Sequence, residues 1–259
     1  MTAGAGGGNE MSGAALHPRA FAVPKDGHAA DECEDAFACN NTAGRFAIAD
    51  GASESIYAGE WARLLCEAFV ADTAGGDGIG PWLGSAQKRW RDHVRNRPAP
   101  WHVAEKLEDG AFATFLGVVV DPAGRWRAVA TGDSCLFLVR DDGLRRAFPV
   151  ETASAFGTRP ALIGSRQRGR VRAAGVGGML QVGDRFMLMT DALAEWFLAE
   201  HEAGRAPWRE LAERTADDFA GWVAGRRSEG RLKNDDVTLL VIEVGGAGAA
   251  PDTAERTAP

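Results

Sequence analysis

The chain has 259 residues, of which 45% are hydrophobic and 25% charged, with a formal net charge of −7. Such a composition fits a soluble globular protein with a sizeable core, and its acidic balance argues against a nucleic-acid binder, which would normally show a basic face. No apolar run reaches the roughly 18 residues of a membrane span, and Cys33, Cys39, Cys66 and Cys135 form no Cys-x-x-Cys pair, pointing to reduced, mostly buried thiols in a cytoplasmic protein.

Residues 1–16 and 245–259 are rich in Gly, Ala, Pro and Thr and are expected to be disordered tails around one domain over 17–244. Met1 to Gly13 lacks the basic and apolar regions of a signal peptide. Arg19 to Val23 is the first expected strand, and Cys33 to Phe37 the second, after a polar loop from Lys25 to Glu32. Phe46-Ala-Ile-Ala-Asp50-Gly51 is an apolar run that stops at a carboxylate and a glycine, the pattern of a buried strand delivering an acid to the rim of a sheet. Glu54 to Asp72 follows as a helix with Trp61, Leu64, Leu65, Ala68 and Phe69 on one face. Gly75 to Gly80 breaks the pattern. A second helical region, Trp82 to Asn96 and Trp101 to Leu107, is interrupted at Pro98 and Pro100.

From Ala111 the period becomes two. Ala113 to Val120, Trp126 to Thr131 and Cys135 to Arg140, separated by turn sequences, predict an antiparallel meander. Val171 to Ala174 and Arg185 to Met189 are further strands. Leu193 to His201 and Trp208 to Val223 are amphipathic helices, and Val237 to Val244 closes the domain. Strands in runs and helices in runs favour an α+β antiparallel sandwich. Trp61, Trp82, Trp90, Trp101, Trp196, Trp208 and Trp222 fall on or beside helical stretches and are expected to pack helices against sheets.

The construction at Asp50 recurs at Ala130-Thr-Gly-Asp133-Ser, Met187-Leu-Met-Thr-Asp191 and Lys233-Asn-Asp235-Asp236-Val. One acid at a strand end is an ordinary turn former. Four of them along the chain suggest carboxylates gathered by the fold, and gathered carboxylates repel unless a cation compensates them. Hard divalent cations such as Mg²⁺ and Mn²⁺ take such oxygen ligands.

In order, Glu34-Asp35, Asp50-Gly51, Gly132-Asp133-Ser134, Thr190-Asp191 and Asn234-Asp235-Asp236-Val-Thr resemble the motifs of the metal-dependent protein phosphatases, the type 2C or PPM family, over about residues 19 to 244. The resemblance implies a four-layer α-β-β-α sandwich of two antiparallel sheets flanked by helices. It implies Mn²⁺ or Mg²⁺, two ions with a third held more weakly. Asp50 would bridge two metals with the Gly51 carbonyl supporting one, and Asp191 and Asp236 would ligate the second. Asp133 would share the third with Asp191, and Glu195 falls where the family often has another acid. Glu34 would hold metal-bound water, with Asp35 and Asn234 supporting. Hydrolysis of phosphoserine or phosphothreonine would then need no phosphoenzyme, because a water bridging the metals attacks phosphorus in line, with Asp50, Asp191, Asp236 and Glu34 as the catalytic set. The implied partner is a phosphorylated protein, within a Ser/Thr kinase system, and neither nucleic acid nor membrane.

The sequence departs from the family where phosphate is bound. The arginine usual four residues before Glu34 is Ala30, Asp191 is followed by Ala192 instead of glycine, and Cys135 stands where arginine is common. The segment between Arg140 and Arg185 is shorter than the flap of many bacterial members. Lys25 or His28 could reach in, and His28 is the one candidate proton donor, although a solvated loop histidine is the commoner outcome. Arg166, Arg168, Arg170 and Arg172 alternate, so an extended strand would align them on one face. That row could receive a phosphorylated or acidic partner or simply protect a sheet edge. The missing arginine motivates an alternative, a pseudophosphatase that binds phosphoprotein or metal without turnover. The retained acids favour a catalyst, and hydrolysis of a small phosphorylated metabolite is the third reading.

Overall fold

In the computed structural model, which describes residues 14–72, 78–95, 109–157 and 159–246, the apolar runs pair into two five-stranded sheets. With strands numbered in chain order, the first sheet runs β1 (Ala15–Val23), β12 (Val237–Gly245), β11 (Arg185–Met189), β7 (Cys135–Arg140), β8 (Gly143–Phe148). The second runs β10 (Ala174–Met179), β6 (Arg125–Thr131), β5 (Phe115–Val120), β3 (Arg45–Asp50), β2 (Asp35–Asn40). Every pairing is antiparallel. A two-stranded ladder joins β4 (Phe112–Ala113) to β9 (Ile163–Gly164). Helices α1 (Ala58–Ala71) and α2 (Gly80–Arg95) cover the second sheet, and α3 (Asp191–Glu202), α4 (Pro207–Ala212) and α5 (Ala216–Ser228) the first. This is the α-β-β-α sandwich expected from the sequence.

Three apolar layers hold the four structural ones. Phe46, Ile48, Leu116, Phe186, Leu188 and Leu240 fill the space between the sheets. Along β3 the alternate residues Ala47 and Ala49 face the other way, against Trp61, Leu65 and Phe69 of α1. Small side chains there let the helix lie close. Gly117 serves the same end, since a Cβ on it would stand 2.6 Å from the Phe69 ring. Trp61, Trp82, Trp90, Trp196 and Trp208 are buried in the helix–sheet layers as expected, while Trp101 lies outside the described residues.

Several expected boundaries move. Residues 52–57 form turns, and α1 begins after Tyr57, whose φ of 55° is left-handed. The stretch from Trp208 to Val223 is two helices, because the chain breaks around residues 213–215. The part of the second helical region from 96 to 107 lies outside the described residues. The three-strand meander is overturned: β5 and β6 form a hairpin, but Gly132-Asp133-Ser134 carries the chain to the other sheet, where β7 pairs with β11 and β8. Gly132 makes the crossing with a φ of +96°, a backbone state open to glycine. Residues 165–173, including the alternating arginines, are turns and irregular chain. The strand begins only at Ala174, so alternation does not align them on one face.

Candidate active site

The acids arrive at one end of the sandwich from both sheets. Asp35 and Asp50 are directly opposed across the β2–β3 ladder. Asp133 sits on the crossover between the sheets, Asp191 opens α3 after β11, and Asp235 and Asp236 precede β12. Burial pushes the Asp50 carboxyl well above the usual carboxylate range, and the charges of Asp35, Asp191, Asp235 and Asp133 push it further. Burial likewise raises Asp191 to about 6, with Asp133 and Asp235 adding to the effect. Asp35 is held high by burial, against the pull of its hydrogen bond from Thr190, and Asp133 is raised by burial.

A scaffold of hydroxyls and amides fixes these groups. The main-chain N–H of Asp50 donates to Thr114 Oγ1 at 3.3 Å, and the Asp50 carbonyl accepts from the N–H of Thr114 at 2.8 Å. The Thr114 hydroxyl in turn meets Ser134 Oγ at 2.7 Å, so the serine of Gly-Asp-Ser supports Asp50 from the crossover between the sheets. Gly51 donates to the Glu34 carbonyl at 3.1 Å, and a Cβ on Gly51 would stand 2.6 Å from the main chain of Ala58. The glycine after Asp50 is therefore a requirement of close approach. Thr190 Oγ1 donates to Asp35 Oδ2 at 2.8 Å and accepts from the N–H of Thr238 at 2.9 Å.

Asp235 and Asp236 have different surroundings. Both oxygens of Asp236 accept main-chain N–H groups at 2.7 Å, Oδ1 from Lys25 and Oδ2 from Glu34, and the residue is 4% exposed. Asp235 instead adds its charge to Asp50 and Asp191, and Asp236 adds its own to Asp35. Asn234 Oδ1 accepts from the N–H of Asp26 at 2.7 Å. Glu195, placed by sequence among the metal ligands, is paired with Lys233, and Lys233 also feels the charges of Asp191 and Asp133.

On the rim, Lys25 Nζ lies 3.3 Å from both Glu34 Oε2 and Ser53 Oγ, and Ser53 also donates to Glu34. Burial pulls the Lys25 ammonium down, but Glu34, Asp236 and Asp235 outweigh it and hold the group above its ordinary value. His28 is exposed and makes no side-chain hydrogen bond among the described residues. Arg166, Arg168 and Arg170 are exposed too. Thr114, Ser53 and Lys233 carried no signal of their own in the sequence.

The donor set suits a hard divalent cation. Buried carboxylates that raise one another need a positive charge, and Asp35 Oδ1 and Asp133 Oδ1 are buried without a hydrogen-bond partner. Among the described residues, no three His, Cys, Asp or Glu side chains already stand in a ligand arrangement.

The family model for protein phosphatase 2C matches residues 27–224, and the chain belongs to that family. No curated protein matches it in sequence. Among solved structures, it is similar to the serine/threonine phosphatase PstP of Mycobacterium tuberculosis, with a TM-score of 0.61 and 19% identity over 89% of this chain and 99% of that one. It is also similar to the PstP catalytic domain in complex with two manganese ions (TM-score 0.57, 19% identity, 89% and 99% covered). The PPM Ser-Thr phosphatase MsPP from Mycobacterium smegmatis, in complex with cacodylate, matches at a TM-score of 0.54 with 18% identity, covering 90% of this chain and 100% of that one. At these identities the likeness is one of fold. No helix among the described residues is long and apolar enough to cross a membrane.

Proposed function

We propose that this chain is a metal-dependent phosphatase that hydrolyses phosphoserine and phosphothreonine in proteins. The observation that carries the reading is the gathering of acids from both sheets at one end of a protein phosphatase 2C fold: Asp50 opposite Asp35 on the β2–β3 ladder, Asp133 on the crossover, Asp191 at the start of α3 and Asp235 before β12. Asp50, the Gly51 carbonyl, Asp191 and Asp235 are the groups that would hold divalent cations, with Asp133 beside Asp191. Asp235 takes the role the sequence assigned to Asp236, whose oxygens are spent on the amides of Lys25 and Glu34. When bound, such ions lower the pKa of water and neutralise phosphoryl charge. PstP was solved with two manganese ions, which supports Mn²⁺ as the ion.

The chain's own residues supply the rest. Glu34, anchored through Oε2 by Lys25 and Ser53, is a carboxylate positioned to orient a water. Asp35 is buried support, fixed by Thr190. Lys25 supplies the cation for the substrate phosphate that Ala30 does not, because its ammonium is the one on the rim beside Glu34. The retained acids favour turnover over a regulatory pseudophosphatase. Four free thiols support a reducing, cytoplasmic setting, and an opposing Ser/Thr kinase is the natural source of substrate.

The test is hydrolysis of a phosphothreonine peptide with Mn²⁺ and with EDTA. Turnover only with metal is expected. Mn²⁺ binding by calorimetry without any turnover would replace the reading by the regulatory one.

A further inference from the structure

The segment between Glu151 and Asp184 contains no acidic residue and five arginines, Arg159, Arg166, Arg168, Arg170 and Arg172, in a chain whose net charge is −7. All five are exposed, and none makes an ion pair or side-chain hydrogen bond among the described residues. Many arginines elsewhere have carboxylate partners, as Arg19, Arg45, Arg140, Arg209 and Arg226 do. The exposed Arg91 and Arg146, which make none among the described residues, stand apart from one another in the chain.

The main chain beneath these side chains is held at many points. Trp61 Nε1 donates to the Ile163 carbonyl at 2.8 Å, Ser165 N–H to the Ala111 carbonyl at 2.8 Å, and Gln87 Nε2 to the Gln167 carbonyl at 2.8 Å. Thr131 Oγ1 donates to the Arg172 carbonyl at 2.9 Å. The segment also adjoins the acids. Ile163–Gly164 pairs with Phe112–Ala113, and Ala113 bridges to Gly51, the neighbour of Asp50. On the other side, the Ala161 carbonyl lies 2.9 Å from where a Cβ of Gly132 would stand, next to Asp133.

Protection of a sheet edge does not explain the row. The edge strand β10 is Ala-Gly-Val-Gly-Gly-Met and carries no charge itself, while the arginines lie before it. Guanidinium groups on a fixed main chain, and left without carboxylates, are placed to meet anions from outside, because the backbone needs no further ordering and only the side chains lose freedom when they pair.

Resting on the phosphatase reading, we propose that residues 159–172 form a docking surface for acidic side chains flanking the phosphorylated residue, so that the preferred substrates are phosphoproteins with Asp or Glu near the site of hydrolysis. The experiment compares phosphothreonine peptides with Asp/Glu flanks and with neutral flanks, and p-nitrophenyl phosphate. The enzymes are the wild type and the combined variant Arg166→Gln, Arg168→Gln, Arg170→Gln.

The variant should raise KM for the acidic peptide about tenfold, the order expected from three lost exposed charge pairs. Neutral peptide and small ester should be unaffected, and the difference should shrink at high salt. A fluorescent, unphosphorylated acidic peptide, followed by anisotropy, reads the surface independently of turnover. If the wild type hydrolyses acidic and neutral peptides equally well, or the variant affects all three substrates alike, the docking surface is wrong while the phosphatase stands. Binding of the acidic peptide through these arginines in a protein with no hydrolytic activity would overturn the phosphatase reading, with the surface retained. Tighter binding of single-stranded RNA than of the peptide, lost in the same variant, would reassign the surface to nucleic acid.

Discussion

Arg227, on α5, donates through Nη2 to the main-chain carbonyl of Asp235. Through Nη1 the same guanidinium reaches the Pro24 carbonyl at 3.0 Å and Asp26 Oδ1 at 2.9 Å. Its side chain is only 5% exposed. One cation thus fastens the loop that carries Asp235 to the loop that carries Lys25, and the bond from Asp26 N–H to Asn234 repeats the tie.

Replacing Arg227 by Met should therefore loosen two functional loops together. Hydrogen bonds to charged groups contribute about 1.5–3 kcal/mol each, so Mn²⁺ affinity by calorimetry should fall at least tenfold and KM should rise, with Lys partly restoring both. The control is Arg226→Gln on the same helix, whose guanidinium goes to Glu210 and Glu229. That variant should lower Tm and leave the Mn²⁺ Kd unchanged. Equal behaviour of the two variants would reduce Arg227 to a stabilising residue.

Asp235→Asn and Asp236→Asn should separate cleanly. Asp236 offers one oxygen to each of two amides, and an asparagine can serve only one, so unfolding free energy should drop by about 1–3 kcal/mol. Asp235→Asn keeps the acceptor used by the Asp236 N–H and removes a charge that raises Asp50 and Asp191. Metal-free stability should hold or increase, while Mn²⁺ binding is lost. The opposite pattern in calorimetry and denaturation would return the ligand role to Asp236.

Much of this arrangement was legible in the sequence because strand-end acids follow apolar runs whose period fixes their place. Asp50, Asp133 and Asp191 were found that way, and the sandwich followed from the order of the runs. The proposed preference for Asp235 over Asp236 had no mark in the sequence. Adjacent identical acids differ only in which amides the tertiary fold presents to them, here those of Lys25 and Glu34. The crossover at Gly132 looked like a hairpin turn, since turn chemistry specifies a change of direction and not the sheet that receives the next strand. The alternating arginines mimicked a strand, but Gly169, with a φ of +89°, breaks the extended geometry that alternation presumes. Thr114 and Ser53 act only through neighbours distant in sequence, so no local pattern marks them.

The raised carboxyls predict a pH dependence with a definite sign. Between the unfolded value of an aspartate and the folded value of about 6 for Asp191, the folded metal-free protein binds more protons than the unfolded one. Stability contributed by this group is therefore present at low pH and is lost as pH rises through about 6, and the raised Asp35 and Asp50 act in the same direction. Mn²⁺ should oppose the trend, since its ligands must be deprotonated. Thermal melts at pH 5.0 and 7.5 should show a smaller acidic advantage once Mn²⁺ is added. Calorimetry in buffers of different ionisation enthalpy should show proton release on binding near pH 6. Metal binding without proton release would contradict the protonated, mutually repelling acids.

On the proposed function, phosphate binding turns on Lys25. Its ammonium is tied to Glu34 and Ser53, and carboxylates around it keep it protonated across the working range. A phosphoryl dianion arriving beside Glu34 offers that ammonium a stronger partner than an exposed serine does. Lys25→Gln preserves the main-chain N–H that Asp236 requires and removes only the charge. The KM for a phosphothreonine peptide and the inhibition constant of inorganic phosphate should both rise about tenfold with kcat little changed, the size of one charge-assisted contact. Lys25→Arg should recover most of the loss, because a guanidinium pairs with phosphate at least as well. If phosphate inhibition is unaltered in Lys25→Gln while Mn²⁺ affinity changes, the lysine acts on the acids alone, and phosphate is held by another group.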